Sequence, residues 1–269
     1  MRFGGPVLKP FTNPEEWVKN MKDLGYNACI FPLNHTAPTS QIDKYVAAAK
    51  AADIVIAEVG VWNNPISTNK KQREEAIQYA KNQLSLADYI EALCCVNIAG
   101  AKGEQWDAPH KNNWTCFDEI VESVHEIIDA VKPTKTYYSL ETMPWIYPYN
   151  ADSYVKLIKA IDRKQFGAHL DVINIITSPY EYYHNADITT ECFEKFGSHI
   201  KSCHAKDIRL SSKLTVHLDE TVPGQGEYDF TTLIDCLRKM PDVPMLMEHM
   251  SDPADEEQAA AYLKKLIEA

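Results

Sequence analysis

What the 269-residue chain lacks narrows its class before any motif is read. Basic charge is scarce, with 27 Lys and Arg against 38 Asp and Glu and a formal net charge of −11. A surface that grips nucleic-acid phosphates or an anionic membrane needs a basic footprint, so neither is expected as a partner. No apolar run approaches the roughly 20 residues that span a bilayer, and the opening MRFGGPVLKPF holds no long apolar segment of the secretory kind. A disulfide framework is missing too. Cys29, Cys94, Cys95, Cys116, Cys192, Cys203 and Cys236 are odd in number, form no CxxC pair and fall partly inside apolar runs such as ALCCVNIAG. That usage suits reduced, buried thiols. These absences predict a soluble, cytoplasmic protein. There is also no Gly-rich phosphate loop, which removes the main support for an open dinucleotide-binding sheet.

What is present is an alternation of short apolar runs and longer amphipathic stretches, with 45% hydrophobic residues to fill a core. The apolar runs predict strands over Arg2–Gly5, Ala28–Leu33, Ile54–Val59, Cys94–Ile98, Thr136–Glu141, Phe166–Asp171, His199–His204 and Met245–Glu248. Helical periodicity fills the gaps. Trp17, Met21 and Leu24 share one face after the start signal Asn13-Pro14-Glu15-Glu16. Ile120, Val124, Ile127, Ile128 and Val131 repeat at helical spacing up to Pro133, and Tyr262, Leu263, Leu266 and Ile267 do so at the end. Eight strands each followed by a helix predict an α/β fold of one domain, a (β/α)8 TIM barrel over residues 1–269. One irregularity, Lys213–Tyr228, reads as a β-hairpin inserted after the seventh strand.

Catalytic groups of such barrels sit at the C-terminal strand ends. Four successive strands here end in a residue that can ligate metal: TYYSLE at Glu141, FGAHLD at Asp171, HIKSCH at His204 and PMLME at Glu248. The gaps are 30, 33 and 44 residues, the last longer by about the size of the inserted hairpin. One carboxylate after an apolar strand is commonly a helix cap, but four on successive strands demand a shared partner, because charge is rarely buried unpaired. Three carboxylates and an imidazole suit one divalent metal ion, Mn²⁺ first, with Mg²⁺, Co²⁺ or Zn²⁺ tolerated.

These motifs, namely Glu141 in LETMP, Asp171 in HLD, His204 in CHAKD, VPGQGEYDF from Val222 to Phe230 and Glu248 in LMEH, resemble the xylose-isomerase-like TIM barrel superfamily of sugar isomerases and epimerases, inosose dehydratases and endonuclease IV. The resemblance covers nearly the whole chain and implies that Glu141, Asp171, His204 and Glu248 hold the metal. It further implies that Glu141 and Glu248 are the catalytic proton-transfer pair, working on a metal-stabilised enediolate of a carbohydrate-like small molecule. The chain departs from the ketose 3-epimerases at three places. Asn174 stands where they have a histidine, Tyr147 where they have a substrate-binding glutamate, and Arg209 lies five rather than six residues beyond the histidine ligand. The trinuclear zinc site of endonuclease IV also needs histidines that this chain lacks.

Further substrate-binding candidates are His169, on the same side of its strand as Asp171, Asn174, Lys206, Arg209, Trp62 and Trp145. His169 reads equally as a satisfied core histidine, Arg209 as surface charge, and the two tryptophans as lids on the core. Asn97 is expected to fix a loop or a substrate hydroxyl, and Asp207 a loop ion pair. Tyrosines around the fifth and sixth loops suit a sugar-stacking rim or plain packing, while Trp106, His110 and Trp114 belong to a long loop expected to cover the mouth. The function expected first is that of a sugar or polyol isomerase or epimerase. A lyase, either a dehydratase or a carbon–glycoside-cleaving enzyme, is the alternative, and a non-catalytic metal-containing carbohydrate-binding or partner subunit is a third reading. A homo-oligomer is compatible with the sequence.

Overall fold

The computed structural model describes residues 1–103 and 114–269. Eight parallel strands close into a barrel: β1 (Phe3–Gly5), β2 (Ala28–Ile30), β3 (Val55–Gly60), β4 (Cys94–Asn97), β5 (Tyr137–Glu141), β6 (Phe166–Leu170), β7 (Ile200–Ala205) and β10 (Met245–Met247). Each pairs with its sequence neighbour among these eight, and β1 closes the ring on β10. The predicted (β/α)8 barrel is therefore the fold. No helix among the described residues is long and apolar enough to cross a membrane.

The helices form where capping and periodicity direct them. In α1 (Pro14–Asp23) the Asn13 side chain accepts the Glu16 N–H at 2.9 Å, and Glu16 reaches back to Thr12 N at 2.7 Å, one residue beyond the cap. Trp17 and Met21 are buried in the core, Trp17 with its ring 5.4 Å from that of Tyr45. In α2 (Phe117–Val131) Ile120, Val124, Ile127 and Ile128 are buried, and Lys132 ends the helix in the left-handed region just before Pro133. In α3 (Pro253–Glu268) Leu263 enters the core while Tyr262 stays on the surface. Cys29, Cys94, Cys95, Cys192 and Cys203 are free, buried thiols, Cys236 is free and half-buried, and Cys116 is buried.

The hairpin follows β7 as expected, but with other bounds. It pairs β8 (Asp207–Leu210) with β9 (Leu218–Thr221), antiparallel, so the alternating Leu214–Leu218 run is largely its tip. The physical reason is Asp207. Its buried carboxylate accepts the N–H groups of Ile208, Gly224, Gly226 and Tyr228 at 2.8–3.0 Å, which wraps the PGQG stretch around it as a loop. A Cβ on Gly226 would stand 2.2 Å from Asp207 Oδ1, so only glycine lets the backbone approach. Asp207 thus binds backbone amides and is not a loop ion pair.

Candidate metal centre

Glu141 is the last residue of β5, Asp171 and Glu248 are the first after β6 and β10, and His204 lies near the end of β7. Strand geometry aims them at one point, because alternate residues share a face and the ends of parallel strands lie side by side. One potential ligand atom from each lies within 4.8 Å of the others. His204 Nδ1 is 3.0 Å from Glu248 Oε2, 3.4 Å from Glu141 Oε1 and 3.8 Å from Asp171 Oδ2. Asp171 and His204 are buried, Glu141 nearly so.

The donor set fits a cation. Asp171 Oδ2, His204 Nδ1 and Glu248 Oε2 are buried and make no aligned hydrogen bond, an expensive condition for groups of this polarity. Burial alone would lift the Asp171 and Glu248 carboxyls. Lys206 and His204 reverse that for Asp171, and His204 and Lys206 for Glu248, which is held at about 2. The carboxylates in turn draw His204 well above its ordinary value, although burial pulls the other way. A pocket that attracts a proton so strongly onto Nδ1 attracts a divalent ion for the same reason, and three oxygens with one nitrogen form a mostly hard ligand set.

A layer below orients the imidazole. Glu58, fully buried on β3, places Oε2 3.4 Å from His204 Nε2 and Oε1 3.3 Å from His169 Nδ1. Burial would raise its pKa, but the two imidazoles hold it below the usual carboxylate range. With the Nε2 proton directed at Glu58, Nδ1 is left to face the centre, the arrangement by which a carboxylate fixes a ligand histidine. The same His169 Nδ1 also lies 2.6 Å from Ser202 Oγ. It is fully buried beneath His204, with ring centroids 4.0 Å apart, and does not line the cavity.

Above the centre opens a cavity of about 580 Å³. Trp62, Trp145, Asn174 and Lys206 line it. The Trp62 indole donates to Glu141 Oε2 at 3.0 Å from a left-handed backbone, φ 39°. It lies against Gly60, where a Cβ would meet the ring at 1.8 Å. Asn174 donates to Glu141 Oε1 at 3.2 Å and Thr142 O at 3.0 Å, so its amide holds the Glu141 carboxylate as well as facing the cavity. Lys206, 2% exposed, sets Nζ 2.7 Å from Asp171 Oδ2, 3.1 Å from Glu248 Oε2 and 3.3 Å from Glu220 Oε1. Arg209 faces away, its guanidinium donating to Gln225 O on the exposed side of the hairpin. Asn97 fixes a loop by accepting from Asn63 N and donating to Asn63 Oδ1 and Tyr138 OH. Tyr147 and Tyr149 pack with Trp114, and Trp106 and His110 lie outside the described residues.

Sequence reading missed Glu58, Glu220 and His249. A lone glutamate inside the apolar run IVIAEVG was a legible signal for Glu58, since charge in mid-strand implies a buried partner. Glu220 and His249 carry no such mark. They meet at 2.8 Å across the cavity rim only because the hairpin folds back over the end of β10.

A model of the family described as xylose isomerase-like TIM barrel matches residues 18–268. No curated protein matches the chain. Among solved structures it is similar to endonuclease IV from Thermus thermophilus (12% identity, 100% of this chain and 99% of that one, TM-score 0.76). It also resembles a probable 3-DHS dehydratase involved in petrobactin synthesis from Bacillus anthracis (16%, 99% and 98%, TM-score 0.73). A third similar structure is a 3-keto-D-glucoside 4-epimerase from E. coli (15%, 98% and 99%, TM-score 0.69).

Proposed function

The chain belongs to the xylose isomerase-like TIM barrel family, and from that premise we propose that it is a divalent-metal-dependent isomerase or epimerase of a sugar or related hydroxy-ketone. The observation that carries this reading is a division among the four ligands. Asp171 and His204 stay below the cavity, while Glu141 and Glu248 also line it. They enter from β5 and β10, with β6 and β7 between them in the barrel order, so two carboxylates approach one substrate volume from different sides.

A divalent ion on this ligand set supplies Lewis-acid polarisation of a ketone and its neighbouring hydroxyl, Mn²⁺ being our first choice. One glutamate removes the carbon-bound proton, leaving an enediolate, and the other returns a proton to the opposite face or the adjacent carbon. Trp62 and Asn174 hold the two oxygens of Glu141 in place. The Lys206 ammonium offsets negative charge as it develops. The acidic chain and the lack of a basic footprint favour a small carbohydrate-like substrate over nucleic acid.

A lyase reading draws on Glu220 and His249 at the rim, where a proton donor for a leaving hydroxyl would stand. The test is incubation of the Mn²⁺-loaded protein with hydroxy-ketone sugars in D₂O, followed by NMR. Deuterium incorporated at the carbon beside the carbonyl, with the carbon skeleton retained, is the expected result. Elimination product would establish the lyase, and no exchange with any substrate of the class would refute both.

A further inference from the structure

The cavity has two unlike ends. Around the metal centre it is polar, with Glu141, Lys206, Glu220, Glu248 and His249. Away from it, the loops after β5 and β6 and the hairpin supply Met143, Trp145, Ile173, Ile176, Val216 and Leu218. The hairpin explains how this wall arises. Opposed residues of an antiparallel pair share a face, so the pairs Ile208↔Glu220 and Leu210↔Leu218 lie on one side and Arg209↔Asp219 on the other. Ile208, Leu218 and Glu220 line the cavity, and Val216, two residues before Leu218, lines it as well.

The stripe therefore runs outward from an acid beside the metal centre through Leu218 to Val216, which is 54% exposed, and on towards the fully exposed Leu214. Apolar side chains left uncovered and continuous with a ligand cavity mark a surface that something apolar covers. Its occupant must have a polar end that reaches Lys206 and Glu220 and an apolar body that extends from it along the hairpin.

We infer that the substrate is a glycoside-like molecule, in which a hydroxy-ketone sugar at the metal centre carries an apolar, aryl-sized substituent lying on the Val216–Leu218 wall. This rests on the hydroxy-ketone reading above. A free monosaccharide would leave the wall bare, whereas an aryl glycoside buries it.

Calorimetry on the Mn²⁺-loaded protein with phenyl and methyl 3-keto-β-D-glucopyranosides tests the inference without any turnover. The phenyl compound should bind about tenfold tighter or more, from the added apolar burial. In the Val216→Ser/Leu218→Ser variant the phenyl-to-methyl ratio should fall towards one. Equal affinities in the wild type, or an undiminished ratio in the variant, overturn the inference while leaving the hydroxy-ketone reading standing. Phenol alone binding as tightly as the phenyl glycoside also overturns it, as does a dimer that the double substitution dissociates, because the stripe would then belong to subunit packing. Binding of neither glycoside, with no deuterium exchange, removes both proposals.

Discussion

Burial of a carboxylate has opposite consequences at Glu256 and at the barrel mouth. Glu256, 1% exposed in the first turn of α3, meets only the Leu8 N–H, at 3.2 Å, among the described residues, and burial pushes its pKa up to about 7. At the barrel mouth burial acts on Asp171 and Glu248 in the same direction, yet Lys206 and His204 hold both below the ordinary range. The difference lies in the company each acid keeps. Glu256 escapes its desolvation by taking a proton. The mouth carboxylates stay ionised, converge on one ring nitrogen and leave buried oxygens without aligned partners. Because Asp171 and Glu248 lie below their ordinary values, their charged forms favour the fold while Lys206 and His204 stand beside them, and the oxygens that no hydrogen bond aligns are left to face a cation.

Substitutions can break or sharpen that contrast. The largest effect is expected from Glu248→Gln, which removes one of the two proposed proton-transfer groups and should lower kcat by about a hundredfold to ten-thousandfold in steady-state assays. Glu58→Gln leaves the four proposed ligands in place but weakens the orientation of His204. Mn²⁺ affinity should fall by about 10–100-fold, as measured by calorimetry. If affinity were unchanged, the lower layer would be structural only. Trp62→Phe removes the donor to Glu141 Oε2 while keeping an aromatic ring, and should reduce kcat about tenfold, the magnitude of one hydrogen bond to a charged group.

The smallest effect belongs to Glu256. Its folded-state value of about 7 lies above the ordinary 4.5, so the protonated form favours the fold. That contribution is fully present below about pH 4.5 and is lost as pH rises through about 7. Glu256→Gln, neutral at every pH, should therefore be more stable than the wild type by about 1 kcal/mol at pH 8 and equal to it at pH 4 in thermal melts. A stabilisation of the same size at both pH values would mean that the carboxyl is not the cause.

The barrel and the meeting of Glu141, Asp171, His204 and Glu248 at its mouth were legible because both rest on local pattern. Each strand is a short apolar run, and each of these four residues stands at or beside the end of one. What escaped depends on distant segments meeting. Glu58 serves His204 across the barrel interior, 146 residues away in sequence. Arg209 is near His204 in sequence, but strand alternation turns it to the outer face of the hairpin. The hairpin bounds were misplaced because the PGQG run resembles a turn, whereas its amides are used to surround Asp207. Asn174 was read as a substrate contact, but its amide also holds Glu141, a bond that loop geometry alone creates.

Titration of the metal-stripped protein with Mn²⁺, in the wild type and in His204→Ala, tests the central claim most directly. One ion per chain should bind. Because the surrounding carboxylates raise the proton affinity of His204, binding should release a proton and tighten as pH rises. His204→Ala should weaken uptake by at least about tenfold. No uptake of Mn²⁺, Mg²⁺, Co²⁺ or Zn²⁺ by the wild type, or uptake that His204→Ala leaves unchanged, would contradict the assignment of Glu141, Asp171, His204 and Glu248 as a metal centre.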